Sequence, residues 1–248
     1  MIDVHNLELR LDESLNKLLI ANGFSKKQQG GYFALFAGNI VTISRSQIRT
    51  LGVFNNRFEY TIGGNCSILE IENIWKDLRP LVNPKLDDKV MQSYIEKQVP
   101  LTYSIGYDKD IVKEKYSNCV QSSGWLSFEI TDHGLVTFKE VLTYIVEELL
   151  IPSLKNQPSI AQLDKNVNSR IELDKLDSYS INKEGFIYRR IILAKLNNNE
   201  LFEDICNYHR QGFDEYIDLS KRKGYEYFKN IPVVFEKVYK RLKNLESS

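Results

Sequence analysis

The first part of the chain carries a helical pattern of hydrophobic residues. Leucines recur at three- and four-residue spacing from Leu7 to Leu19, which places them along one stripe of an amphipathic helix. We therefore predict a helix over residues 6–22. Gly23 follows where a residue with a positive φ commonly ends a helix.

Between residues 32 and 130 the apolar positions take the two-residue period of strands. Tyr32–Ala37 and Ile40–Ser44 are short aromatic or β-branched runs, and Gly38-Asn39 between them predicts a hairpin turn. Residues 57–63 alternate apolar with polar side chains, which predicts a strand with one solvated face that ends at Gly63-Gly64-Asn65. Two more segments alternate in the same way and are predicted strands: 99–105 and 125–130.

The clearest helical pattern covers residues 138–150. Thr137 and Glu140 predict a capping box at its start, which makes Asp132-His133-Gly134 a polar turn before the helix. Pro152 is predicted to end it. Further helices are predicted at 70–78, 86–98, 108–116, 159–167 and 183–196, then from Asn199, at 213–223, and from Pro232 with Phe235, Val238, Leu242 and Leu245 on its apolar face.

The grouping of these elements predicts the fold class. Strands cluster in one part of the chain and helices flank and follow them, without the alternation of parallel α/β folds. We expect an α+β fold whose antiparallel sheet has about four to six strands. Residues 1–170 are predicted to form this α+β domain. Residues 183–248 are predicted to form an all-helical C-terminal extension that packs on it or forms a small subdomain.

The composition argues against a protein that binds nucleic acid or a membrane through a large basic surface. The chain has 33 basic and 33 acidic residues and a formal net charge of zero. Proteins that bind nucleic acid or a membrane surface over a large area usually carry a basic excess. The first residues show no secretory signal pattern, and no apolar run approaches the ~20 residues of a membrane-spanning helix. With three scattered cysteines, we expect a cytoplasmic protein.

Charge is nevertheless uneven along the chain. Eight basic residues against two glutamates lie between Lys221 and Lys243, with aromatic residues interleaved, whereas 129–148 is acidic. Stacking aromatics beside cations can hold single-stranded nucleic acid. Alternatively, the cations simply favour the C-terminal end of a helix dipole. The candidate binding residues are Lys221, Arg222, Lys223, Tyr225, Lys229, Lys237, Lys240 and Arg241.

No catalytic or metal motif stands out. Cys119 and His133 are the candidate pair for nucleophilic catalysis, but no family-type signature surrounds the cysteine. Cys206 and His209 have zinc-compatible spacing and lack the second ligand pair of a structural site. Glycine-rich phosphate loops are absent from the sequence. We therefore predict no metal and no cofactor.

The order of elements resembles the bacterial domain-of-unknown-function family 4304 over about residues 5–167. The resemblance lies in Asn22-Gly23-Phe24 with Lys26-Lys27, Gly124-Trp125, and Ile151-Pro152-Ser153-Leu154 leading to Ser159-Ile160. The chain departs from the family at Gln28-Gln29-Gly30-Gly31 and in its helical tail. The family has no established activity or catalytic residues to transfer. Domains of this style are associated with immunity proteins that neutralise toxins, which is analogy at the level of the fold.

A well-specified core pattern beside no convergent catalytic set favours a non-enzymatic protein-binding module, immunity-like in kind. Its partner is then another protein. Two alternatives stay open. One is an enzyme that uses Cys119 and His133, and the other is weak nucleic-acid binding through the basic C-terminal helices.

Overall fold

A computed structural model of the chain describes residues 4–26, 31–51, 56–82, 102–120, 125–172, 185–223 and 226–245. The chain divides into two compact units, one of residues 1–66 with 104–157 and one of residues 67–103 with 158–248. The first contains the sheet and the second is helical where it is described, which confirms the α+β class. This division differs from the predicted one, because residues 67–82 and 160–168 belong with the C-terminal helices.

The sheet has six strands in the described part of the chain. Its neighbours follow the order β1-β2-β3-β4-β5, and β6 also pairs with β4. The pairings of β2 with β3 and of β4 with β6 are antiparallel. The strands are β1 (Ser25–Lys26), β2 (Tyr32–Phe36), β3 (Asn39–Leu51), β4 (Arg57–Ser67), β5 (Tyr103–Ile105) and β6 (Leu126–Glu129).

The helices are numbered along the chain. They are α1 (Val4–Ala21), α2 (Leu69–Trp75), α3 (Arg79–Val82), α4 (Lys109–Lys115), α5 (Asp132–Tyr144), α6 (Ile151–Lys155), α7 (Ile160–Asn168), α8 (Phe186–Leu196), α9 (Phe202–Gln211), α10 (Phe213–Lys223) and α11 (Asn230–Asn244). A π-helix (Ile145–Leu150) connects α5 to α6, and short 3₁₀ turns cover Ser117–Cys119 and Glu226–Lys229. The helix predicted at 86–98 lies outside the described residues.

The hairpin turn lies one residue earlier than the sequence predicts. Ala37 and Gly38 have φ values of 50° and 79°, and two successive positive φ angles are the mark of a type I′ turn. Asn39 is therefore the first residue of β3 instead of a turn residue.

Strand β4 continues through the predicted stop at Gly63-Gly64-Asn65 and ends at Ser67. It is an interior strand with neighbours along both edges, so cross-strand pairing outweighs the low strand propensity of glycine. Glu59 is buried as well. The other positions of the predicted polar face, Arg57, Thr61 and Gly63, are partly exposed, so the predicted alternation along this strand is confirmed except at Glu59.

Phe138 of α5 fixes this helix on the sheet. Its ring centroid lies 5.6 Å from that of Phe58, 5.0 Å from that of Tyr60 and 5.3 Å from that of Phe128. The three contacts are edge-to-face, the geometry that aromatic pairs prefer. Helix α1 packs beside α5 through its buried leucine stripe.

Helix α5 begins six residues before its predicted start. Thr131 caps it by accepting a 3.0 Å hydrogen bond from the backbone N–H of Gly134. The predicted box of Thr137 and Glu140 is wrong, and Asp132-His133-Gly134 is the first turn of the helix. A Cβ at Gly134 would lie 2.1 Å from the carbonyl oxygen of Glu129, so glycine is what allows the helix to start against the end of β6.

Pro152 does not end the helical segment. The π-helix before it shifts the backbone hydrogen-bond register. Pro152 consequently occupies the first turn of α6, where a missing N–H costs little. The capping box predicted for Ser159 and Gln162 is confirmed at the start of α7.

A buried ion pair holds α2 and α8 together in the helical unit. The Glu72 carboxylate accepts hydrogen bonds of 2.6 and 3.0 Å from Arg189, and the two side chains are 1% and 2% exposed. Trp75 Nε1 and Thr102 Oγ1 donate to the same carboxylate at 2.9 and 2.7 Å. The carboxylate is thus fully provided with donors, as a buried charge requires.

The last helix buries most of its predicted apolar face. Phe235, Val238 and Leu242 are fully buried, whereas Leu245 is 51% exposed. Leu245 follows the final residue of α11, so the apolar pattern continues one position beyond the helix.

Loss of one partner from the buried ion pair should strongly destabilise the helical unit. We expect Glu72→Ala to lower the free energy of unfolding by about 3–5 kcal/mol, because the Arg189 charge would stay buried without its counter-ion. The matched control is Asp77→Asn, which removes the carboxylate of the more exposed Asp77–Arg241 pair and should cost below about 1 kcal/mol. Urea unfolding followed by Trp75 fluorescence in a Trp125→Phe background measures both. Equal losses in the two variants would contradict the account.

Candidate functional site

The predicted catalytic pair does not have the electrostatics of an activated thiol. Cys119 lies at the end of the 3₁₀ turn and is buried. Burial raises the pKa of its thiol, and the nearby Arg57 guanidinium offsets part of that rise. His133 is exposed in the first turn of α5. Nucleophilic catalysis needs a readily formed thiolate, so these surroundings do not support the enzyme alternative.

Two members of the basic C-terminal segment serve the fold of the helical unit. Arg241 donates to both oxygens of Asp77 at 2.6 and 2.7 Å, and to the carbonyl of Ile74 at 2.9 Å. Through these bonds, the pair lowers the pKa of Asp77 and raises that of Arg241. Lys243 forms an ion pair with Glu203.

The remaining predicted binding residues are spread over several elements. Lys229, Lys237 and Lys240 are exposed at the start and along the outer side of α11. Lys221 in α10 is exposed and lies 4.0 Å from the Asp218 carboxylate. The side chains of Arg222 and Lys223, and the whole of Tyr225, lie outside what the structure describes. Four lysines, one in α10 and three at or along α11, therefore form the exposed part of the predicted basic surface among the described side chains.

Cys206 and His209, which have zinc-compatible spacing, are both buried in α9. His209 Nε2 lies 3.3 Å from the Nη1 atom of Arg190, so the ring faces a cation. Burial, with the charge of Arg190, lowers the pKa of His209 to about 3. Burial likewise raises the pKa of the Cys206 thiol to about 12. Within the described ranges no cluster of three or more metal-ligating side chains occurs.

Arg190 organises a buried polar network that the sequence analysis missed. Its guanidinium is fully buried and donates to Asn168 Oδ1 at 2.9 Å and to the carbonyls of Arg170 and Ile171 at 2.9 and 2.7 Å. Asn168 in turn donates to Asp164 at 2.6 Å. The available signal was an arginine pair, Arg189-Arg190, inside an otherwise apolar helix.

The depressed pKa of His209 makes the stability of the helical unit depend on pH. In the unfolded chain this histidine binds a proton below its ordinary pKa of about 6.5, whereas in the folded protein it stays neutral down to about pH 3. Stability therefore falls as the pH decreases through this window. We expect the wild type to lose about 2 kcal/mol more than His209→Gln between pH 7 and pH 5. Urea unfolding at both pH values checks this, and parallel losses in the two proteins would contradict it.

The first unit has a groove along α1, α4, α5 and the π-helix. It consists of two adjoining cavities of about 400 and 550 Å³, which share Lys139 and Thr143. The first cavity is also lined by Arg10, Glu13, Ser14, Lys17, Leu18 and Leu142. The second is also lined by Lys115, Tyr116, Glu140, Tyr144, Glu147 and Glu148. We call these residues together the helical groove.

The position of the helical groove follows from the two faces of α5. Phe138, Val141 and Ile145 turn toward the core and are buried. Lys139 and Thr143 are exposed on the other side, since residues four apart on a helix share a face. The acidic stretch noted in the sequence thus contributes three of its glutamates, Glu140, Glu147 and Glu148, to the groove.

The ends of the helical groove differ in charge. In the first cavity Arg10, Lys17 and Lys139 outnumber Glu13, and they still do so when the 3.4 Å ion pair of Arg10 with Asp132 is counted. Three glutamates outnumber two lysines in the second. The groove is therefore bipolar, with a basic and an acidic end.

A pair of tyrosines lies at the acidic end. The rings of Tyr116 and Tyr144 meet edge to face, with their centroids 5.7 Å apart. The Lys115 ammonium lies 3.8 Å from the centroid of Tyr144 and 5.7 Å from that of Tyr116. Both distances are within the range of a cation–π contact.

Comparisons with known proteins found no matching family model, no matching curated protein and no matching solved structure. The resemblance to family 4304 therefore stays a prediction. Among the helices in the described ranges, none combines the length and the hydrophobicity that a membrane crossing requires.

Proposed function

We propose that this protein is a non-enzymatic protein-binding module, and that the helical groove is its binding surface. The observation that carries the proposal is the bipolar groove with a tyrosine pair at its acidic end. Tyrosine is enriched at protein interfaces, because its ring offers apolar contact and its hydroxyl a hydrogen bond.

The lining of the groove favours a protein partner over a small molecule. Small-molecule pockets are mostly apolar, with a few convergent polar groups. Here the lining is dominated by long charged side chains, among them Arg10, Lys17, Glu140 and Glu148, which are exposed. Such side chains match the polar rim of a protein interface.

Charge complementarity defines the kind of partner. A surface that presents cations toward the acidic end and anions toward the basic end would meet both halves of the groove favourably. The acidic end favours a cationic partner most strongly, because three glutamates line the same cavity as the tyrosine pair. We therefore propose a partner with a basic segment, and an immunity-like role in which this protein covers that segment.

Charge reversal in the groove tests the proposal. The groove variant is Glu140→Lys with Glu148→Lys. The matched control is Glu8→Lys with Glu200→Lys, which changes the net charge equally at two exposed glutamates outside the groove lining. Tagged proteins are used to capture partners from nuclease-treated lysate of the source organism, followed by mass spectrometry. We expect the wild type and control to recover the same basic protein, and the groove variant to recover at least about tenfold less.

Equal recovery by all three proteins, or no specific protein with the wild type, would overturn the proposal. The same capture is repeated with lysate that has not been treated with nuclease. If proteins are recovered only from this untreated lysate, the result would point instead to nucleic-acid binding. The exposed Lys229, Lys237 and Lys240 would then be the residues to examine.

A further inference from the structure

The second cavity already holds a cation, which comes from the chain itself. Lys115 is the last residue of α4, and its ammonium lies over the ring face of Tyr144. An aromatic face attracts a cation through the negative part of its quadrupole. Tyr116 adds a second ring beside the first. An ammonium group that lies against two rings set at an angle has the minimal arrangement of an aromatic cation site.

Three carboxylates line the same cavity as this ring. Glu140, Glu147 and Glu148 lie four residues before and three and four residues after Tyr144, and all three line the cavity. Residues at these spacings are neighbours on a helix surface. The carboxylate of Glu147 is also positioned by a 3.3 Å hydrogen bond from Asn22 Nδ2. The three carboxylates outnumber the two ammonium groups of the cavity, those of Lys115 and Lys139.

We propose that Tyr116, Tyr144 and the three glutamates form a cation subsite for a lysine or arginine side chain of the partner, and that Lys115 occupies this subsite in the free protein. The identity of the partner rests on the proposed function. The subsite itself rests on the ring and charge geometry. A partner cation would exchange with Lys115, whose side chain lies at the exposed surface.

Self-occupancy has a measurable consequence. When an intramolecular group fills a site, only the fraction of molecules with that group displaced can bind, and the apparent affinity falls by that fraction. Replacing Lys115 with an uncharged residue should therefore strengthen binding of an external cation. Lys113 offers a matched control, because it is exposed on the same helix and does not line the cavity.

Tetramethylammonium serves as the probe, and tert-butanol as its uncharged counterpart of similar shape. Titrations of the wild type, Lys115→Gln and Lys113→Gln are followed by the upfield shift of the N-methyl proton signal that an aromatic face induces. We expect Lys115→Gln to bind tetramethylammonium about two- to fivefold more tightly than the wild type. Lys113→Gln should bind as the wild type does, and tert-butanol should bind to none of them.

The role of the ring is tested in the Lys115→Gln background. Adding Tyr144→Phe keeps an aromatic face and should retain binding, whereas Tyr144→Leu should abolish it, with circular dichroism confirming the fold of both. Equal affinity of Lys115→Gln and the wild type would overturn self-occupancy. Binding that survives Tyr144→Leu, or equal binding of tert-butanol, would overturn the cation subsite. None of these results depends on capture of a partner, so failure of the proposed function is seen separately.

Discussion

The packing of Phe138 against Phe58, Tyr60 and Phe128 is the constraint on which the first unit depends. A ring held edge-on by three others fixes both the position and the rotation of α5 on the sheet. Once that rotation is set, the opposite side of the helix must face outward. This outward side of α5 carries Lys139, Glu140 and Thr143 of the helical groove. The position of the groove is therefore a consequence of how the core is packed.

Although the net charge of the chain is zero, its charged side chains have two different roles in the two units. In the helical unit, Glu72 with Arg189, and Arg190 with Asn168, bury charge inside a network of hydrogen bonds. Such groups are expensive to desolvate and tolerate little change. In the first unit, charges line a solvent-exposed groove, where a partner can reach them. The proposed function depends on the second use, because interfaces gain specificity from exposed complementary charge.

Local patterns in the sequence predicted the elements well where one interaction dominates. The leucine stripe of α1 and the capping box of Ser159 with Gln162 are both confirmed. Predictions were wrong where tertiary contacts outweigh local preference, as at the start of α5. There, close contact with β6 requires Gly134. The candidate site was harder to predict than the helices. Tyr116 and Tyr144 are 28 positions apart, and no sequence pattern shows that their rings are in contact.

The central claim is that a partner binds in the helical groove. A photo-crosslinking residue at Thr143, which lines both cavities, tests it most directly. The comparison position is Val136, which is 54% exposed on the same helix and outside the groove lining. We expect irradiation in cells of the source organism to join position 143, but not position 136, to one basic protein. Crosslinks of equal yield at both positions, or none at position 143, would contradict it.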